Sequence, residues 1–366
     1  MKRCCQNLTQ ILVLFVTRAR TRTVLCNVML GFFYTITSAE DIVIVSTAAD
    51  PTVSTRKTGD ILDYDGQQLR LRAVTGVELT IPSERVIDVQ TSLTPNHQKA
   101  DHFFTTQQFE KAAERYQQAQ TEEPRIWMRR QIIAQQIWCS QHLKQYDLAA
   151  ELFLVLVQSD PHTQYINTIP LAWRAQQPSA TLAHRAISWL EKHLNTDNRA
   201  FKKRDAIATL IGASWLLPTS RRDECVSALE QLQQHADPII AHLSEAQLWR
   251  TKIVTATPGE VQAWQTTLSQ WPSAIRAGPY FIVGQVLSRH ERYQEAALMW
   301  MRIPIFYPQQ RTLVGDCLLA AGNALEKMGH TEEARSAYHE IVRDYAELSV
   351  AQLAKSKIES LHNSSD

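Results

Sequence analysis

Glycine is scarce in this chain, with 11 in 366 residues, which leaves little material for the backbone cradles that hold phosphate groups. Cysteine is scarcer still. Of six, Cys4, Cys5 and Cys26 fall near the N-terminus, and Cys139, Cys225 and Cys317 stand too far apart for a disulfide framework or a metal motif. They read as small buried apolar residues on helices. Neither sign of charge dominates, since 38 Lys and Arg face 37 Asp and Glu, so the chain lacks the basic excess of a nucleic-acid or membrane-surface binder. The 12 His form no His-Glu-x-x-His, and there is no Gly-x-Ser-x-Gly, phosphate loop or paired-Cys motif. No catalytic residue, cofactor or metal is expected, and Glu332, Glu333, His339 and Glu340 read as a solvated charged face.

Long apolar runs are also missing. The longest, Val24 to Ile36 (VLCNVMLGFFYTI), falls short of the roughly 20 residues that cross a bilayer. It follows Lys2, Arg3, Arg18, Arg20 and Arg22 and precedes Thr37, Ser38 and Ala39. Basic region, short apolar core and small residues together make an export signal over 1–39, cleaved after Ala39. An uncleaved anchor is the alternative. The residues before Cys26, Thr-Val-Leu, lack the small residue that lipoprotein processing needs. The expected location is the periplasm or cell envelope, with no stable membrane span after cleavage.

From 40 to 92 the pattern has period two. Ile42 to Val45, Gly59 to Tyr64, Leu69 to Ala73, Val77 to Ile81 and Val86 to Val89 read as short strands. Asp65-Gly66 and Thr75-Gly76 supply hairpin turns, and Pro82-Ser83-Glu84 a break. Five strands in this length predict a small SH3-like or Sm-like β-barrel. Arg56, Lys57, Arg70, Arg72 and Arg85 read as its solvated outer face, because stacking aromatics other than Tyr64 are lacking there.

Beyond residue 92 the chain is predicted helical, and one spacing recurs. A small or apolar residue is followed twelve positions on by Ala, sixteen on by an aromatic and nineteen on by another apolar residue. The sets are Ala100, Ala112, Tyr116, Ala119; Ile137, Ala149, Phe153, Leu156; Gly284, Ala296, Trp300, Ile303; and Gly322, Ala334, Tyr338, Ile341. Pro124, Pro161 and Pro308 close the first three, and Ala346 takes that place in the fourth. Such hairpins cannot bury their apolar faces alone and must stack.

This spacing resembles the tetratricopeptide repeat, whose period is about 34 residues. Here the period is longer: 137 − 100 = 37 and 322 − 284 = 38. Repeats of this length resemble those of exported bacterial envelope proteins, such as the Tol-Pal-associated periplasmic protein and the lipoprotein of the outer-membrane assembly machine. Two hairpins are expected over 93–161, two more with a capping helix over 276–362, and degenerate HEAT-like hairpins over 162–275. In the last stretch Leu182 to Leu190, Ile207 to Trp215, Val226 to Leu232, Ile239 to Trp249 and Val261 to Leu268 each carry one apolar face. The fold class is therefore mostly α, a right-handed helical-repeat solenoid behind a small β-barrel. Residues 162–177 (HTQYINTIPLAWRAQQ) lack periodicity and read as a strap along the array.

In tetratricopeptide proteins the first helix of each hairpin lines a groove that takes a protein partner. The resemblance places those positions at His97 and Asp101; at Ala134, Trp138 and Gln141; at Phe281 and Gln285; and at Leu319 and Asn323. They do not compose the two-Lys, two-Asn carboxylate clamp of some members, of which Asn323 alone fits the type. The implied function is a non-enzymatic scaffold that binds another cell-envelope protein and no nucleic acid. An accessory protein that binds peptidoglycan or polysaccharide is the alternative.

Overall fold

The computed structural model describes residues 40–47, 53–194 and 202–363; the export signal expected over 1–39 lies outside them. Five antiparallel strands come first: β1 (Asp41–Ser46), β2 (Ser54–Tyr64), β3 (Gln68–Ala73), β4 (Glu78–Pro82) and β5 (Val86–Gln90). Asp65 makes the β2–β3 turn, its carboxylate accepting the amides of Gln67 and Gln68 at 2.8 and 2.9 Å. A 3-10 turn, Ser83–Arg85, separates β4 from β5 where Pro82 breaks the pattern.

The expected barrel does not close. Strand order is β4-β3-β2-β1-β5, with β4 bonded only to β3 and β5 only to β1, so the sheet keeps two edges. Both edge strands are five residues long, and the inner face finds another cover. Val43, Val45, Ile61, Leu69, Leu71 and Ile81 share one apolar core with Ala112, Tyr116, Trp127, Met128 and Ile132 of the first helices. Burial against helices removes the need to bury that face by closure. On the outer face Arg70 and Arg72 meet Glu78 at 3.4 and 3.1 Å, an exposed pairing.

Among the described residues fourteen helices follow, α1 (Pro95–Thr105), α2 (Phe109–Glu122), α3 (Ile126–His142), α4 (Tyr146–Ser159), α5 (Ala180–Leu194), α6 (Lys203–Leu216), α7 (Arg222–Leu232) and α8 (Pro238–Thr251) forming the first part. They continue as α9 (Pro258–Gln270), α10 (Ala277–Arg289), α11 (Tyr293–Phe306), α12 (Arg311–Lys327), α13 (Thr331–Asp344) and α14 (Val350–Asn363). Helix starts obey local chemistry. Thr94, Asp237 and Thr257 cap α1, α8 and α9, each with Pro in the first turn, and Thr257 with Glu260 forms a full capping box. The helices stop two residues short of Pro124, Pro161 and Pro308. α13 stops at the equivalent point before Ala346, so the proline is not what sets the length.

The pairs α1/α2, α3/α4, α10/α11 and α12/α13 are built to one plan. In each, the residue seven after the small position turns left-handed: Gln107, Lys144 and Glu291 at φ 59, 59 and 60°, and Gly329 at 80°. The next amide reaches back to the carbonyl five residues earlier, Gln108 to Phe103, Gln145 to Ser140, Arg292 to Leu287 and His330 to Leu325, at 2.8 to 3.0 Å. The left-handed residue's own amide bonds three back in all four cases. This is a Schellman ending, which satisfies two orphan carbonyls of the first helix while reversing the chain.

The small position receives the aromatic from the second helix. A Cβ on Gly284 would sit 2.5 Å from Trp300 Nε1, and one on Gly322 would sit 2.4 Å from Tyr338 Cε1. The extra residues lengthen the first helices, since α3 and α12 each run 17 residues; three or four residues amount to about one turn. The middle helices α5 to α9 join α3, α4 and α10 to α14 in one continuous core. Cys139, Cys225 and Cys317 are buried there or in the sheet-side core. Burial pushes the thiols of Cys139 and Cys225 up to about 12, so they remain protonated and unreactive.

Candidate functional site

The strap decides what the groove offers. Residues 162–177 run along α3, α6, α10 and α12, fixed at the crossings by hydrogen bonds, shape or an ion pair. Gln141 Nε2 donates to the carbonyl of Thr168 at 2.8 Å, Trp215 Nε1 to that of Pro170 at 2.8 Å, and the Ala172 amide donates to Ser214 Oγ at 3.2 Å. The indole of Trp173 lies on Gly278, where a Cβ would fall 1.9 Å from the ring. Arg174 then grips Asp316 on α12 with two bonds from Nη1, 3.0 and 2.8 Å. Burial raises the Asp316 carboxyl above its usual range despite Arg174.

With the strap in place, the groove positions divide into two kinds. Asp101 and Asn323, each one residue after the small position, accept the hydroxyls of Tyr116 and Tyr338 at 2.7 and 2.9 Å. These bonds join the two helices of a hairpin, so the two side chains are engaged internally. His97 is buried against Tyr116 at 3.7 Å from Asp101, and its burial holds the imidazole below its ordinary pKa. Phe281 and Ala134 are core residues, and Gln141 is held by the strap. Leu319 packs against the core, partly buried.

In the second and third hairpins the aromatic is Phe153 or Trp300, without a hydroxyl, and Trp300 Nε1 donates instead to the Phe281 carbonyl at 3.2 Å. The equivalent groove residues, Trp138 and Gln285, are thereby released from that bond. Each borders an open space. Trp138 lines a shallow cleft with His142, Tyr146, Trp173 and Arg311. Gln285 lines a cavity of about 210 Å³ on the other side of Trp173 and Arg174. His142 stacks on Trp138 with ring centres 6.3 Å apart and lies tilted against Phe109 at 4.2 Å, and burial pulls its pKa down to about 3.

A larger opening lies elsewhere, and nothing in the repeat spacing marks it. Between the second helices α11 and α13, closed at one end by the tail of α12, is a groove of about 570 Å³. Ala297, Leu298, Met301, Leu325, Met328 and Ala337 line it, and Leu298 is 59% exposed. Glu333 and Glu340 stand at its rim. The available signal was Leu298 itself, an apolar residue off the buried face of its helix.

Comparison with known families bears on the last hairpin. Residues 316–347 match the tetratricopeptide repeat model. The match begins at Asp316 in α12 and spans the Schellman turn and all of α13. No curated protein matches the chain significantly. The tetratricopeptide repeat is ordinarily a non-catalytic module for protein–protein interaction, so the match over this one hairpin suggests protein partners. Among the described residues no group of His, Cys, Asp and Glu is placed to hold a metal ion. Among the same residues no helix is long and apolar enough to cross a membrane.

Proposed function

We propose that this chain is a non-enzymatic scaffold, exported to the periplasm or cell envelope, that holds another envelope protein through the groove between α11 and α13. The observation that carries the reading is the tetratricopeptide match over residues 316–347, because it falls on the hairpin that forms one wall of that groove. The protein's own strap lies across the first-helix side at α3, α10 and α12, which favours the open second-helix side for partner binding. Its apolar floor and the carboxylates of Glu333 and Glu340 at the rim suit an amphipathic helix with an apolar stripe and a Lys or Arg flank. Export rests on the basic N-terminal region, the run Val24 to Ile36 and the small residues ending at Ala39.

A photo-crosslinking residue at position 298 in cells tests the docking surface. One envelope protein is expected to be captured there and lost when Glu333 and Glu340 are replaced by Lys, whereas a crosslinker on Glu84 captures nothing specific. Capture equal at both positions refutes the groove. Mass determination of the mature N-terminus tests export, with Glu40 expected as the first residue.

A further inference from the structure

The cavity beside Gln285 is bordered by Trp173, Arg174, Arg222 and Arg250, and its lining holds no carboxylate. Three guanidinium groups therefore border one space, and their partners differ. The charge of Arg174 is answered by Asp316 at 2.8 Å. Arg250 is not answered by any acid among the described residues. Its Nη1 donates to the carbonyl of Ser214 at 2.8 Å and to Gln247 Oε1 at 2.5 Å, and its Nη2 donates to the carbonyl of Arg174 at 3.2 Å. All three acceptors are neutral. Arg222, exposed at the mouth, donates to the carbonyl of Thr251 at 3.3 Å and likewise meets no acid among the described residues.

Placing a guanidinium in a partly buried position without a counter-ion is costly, because its hydration is lost and no opposite charge replaces it. Burial and the neighbouring Arg222 together pull Arg250 down to about 10, a cost that the fold bears while the group stays charged at neutral pH. The three neutral acceptors hold the Arg250 side chain in a fixed direction at the cavity wall. Gln285 also lines this space, its amide oxygen buried without a partner. The space of about 210 Å³ exceeds the roughly 30 Å³ of one water several-fold, so a small oxyanion fits with part of its hydration.

We infer that this cavity is an oxyanion site, in which Arg250 and Arg222 bind a phosphate or carboxylate group, with Trp173 as its apolar wall. Guanidinium forks match both anions in bidentate geometry. The site lies on α7, α8, α10 and the strap, apart from the residues of the α11–α13 groove, so it stands or falls independently of the scaffold reading.

The test is titration of the full mature chain with methyl phosphate and, separately, with acetate, followed by heat release and by thermal unfolding. Saturable binding of at least one anion is expected. Stronger methyl phosphate binding assigns a phosphate ligand, and stronger acetate binding a carboxylate ligand. Arg222→Gln, at an exposed position that leaves the fold intact, is expected to weaken binding about ten-fold, the loss of one charge-assisted contact. Arg250→Met is expected to abolish binding, and because it also removes the donor to the Ser214 and Arg174 carbonyls, its folding is checked by thermal unfolding of the anion-free protein. Should Arg250→Met fail to fold, Gln285→Leu replaces it, with a several-fold loss expected. Absence of saturable binding for both anions up to tens of millimolar, or binding unchanged in Arg222→Gln, overturns the assignment.

Discussion

Three glycines of this protein separate two reasons for needing glycine, and alanine at each predicts a different result. Gly322 sits inside α12 with ordinary helical dihedrals, where glycine-to-alanine ordinarily gains about 1 kcal/mol. Here the new methyl would lie 2.4 Å from Cε1 and 2.8 Å from Cζ of Tyr338. Carbon atoms rest about 3.5 to 4.0 Å apart, so the ring must retreat by about 1 Å. It has nowhere to go, being fully buried and tied by its hydroxyl to Asn323 at 2.9 Å. Overpacking of this kind costs about 1 to 3 kcal/mol and a strained hydrogen bond about 1, so after the propensity gain the net loss is roughly 1 to 3 kcal/mol. Gly329 differs: nothing lies within 4 Å of its would-be Cβ, but its φ is 80°. Alanine there costs about 1 kcal/mol through the left-handed backbone alone. At Gly259, in the first turn of α9, there is neither crowding nor positive φ, and alanine is expected to be neutral or slightly stabilising. Thermal unfolding ranks them, with about 2 °C per kcal/mol for a chain of this size. Gly322→Ala should melt lowest, and adding Tyr338→Leu to it should cost less than the two single changes summed. A Gly322→Ala protein as stable as the parent would refute the close approach of Gly322 to Tyr338.

Gly66 is expected to be intolerant through close approach too, here to main chain instead of a side chain. Its Cβ would fall 1.6 Å from the main-chain oxygen of His162, and its amide donates to Asp160 at 2.9 Å; Gly66→Ala should loosen the sheet from α4 and expose the β2–β3 turn to limited proteolysis, while an unchanged digestion pattern contradicts this. Arg174→Met leaves Asp316 buried without its cation; Arg174 is itself about a third exposed, so a discounted loss of about 1 to 2 kcal/mol is expected. Hydrogen exchange at the Ala172 amide should rise with it, and unchanged protection there would show that the strap does not depend on this pair. For pH, His142 has its folded pKa near 3 because of burial, below the unfolded value of about 6.5. The unfolded chain therefore binds a proton first, and the stability contributed by neutral His142 is complete above about pH 6.5 and declines as pH falls toward 3. Each unit in that window costs at most about 1.4 kcal/mol. His142→Phe should remove one proton's worth of slope between pH 6 and 4, and equal slopes would place His142 in water.

The repeat spacing determined four hairpins because packing residues repeat with them: Ala112, Ala149, Ala296 and Ala334 are all completely buried. Period two determined five strands for the same reason, as Val43, Leu69 and Leu71 are fully buried on one face. Local chemistry also fixed the ends, through Thr94, Asp237 and the capping box of Thr257. The left-handed turn residues were not legible, because three of the four are Gln107, Lys144 and Glu291 rather than glycine. What only the tertiary structure decided was closure and access. The sheet stays open because Trp127 and Met128 join the core of its inner face. Asp101 and Asn323 are engaged because a tyrosine hydroxyl fifteen residues on reaches them, while Trp138 and Gln285 border open space because Phe153 and Trp300 carry none. The strap meets α12 through Arg174 and Asp316, 142 residues apart. Period and capping are written in neighbours along the chain, whereas a groove, a cover and an unanswered charge exist only between segments that folding brings together.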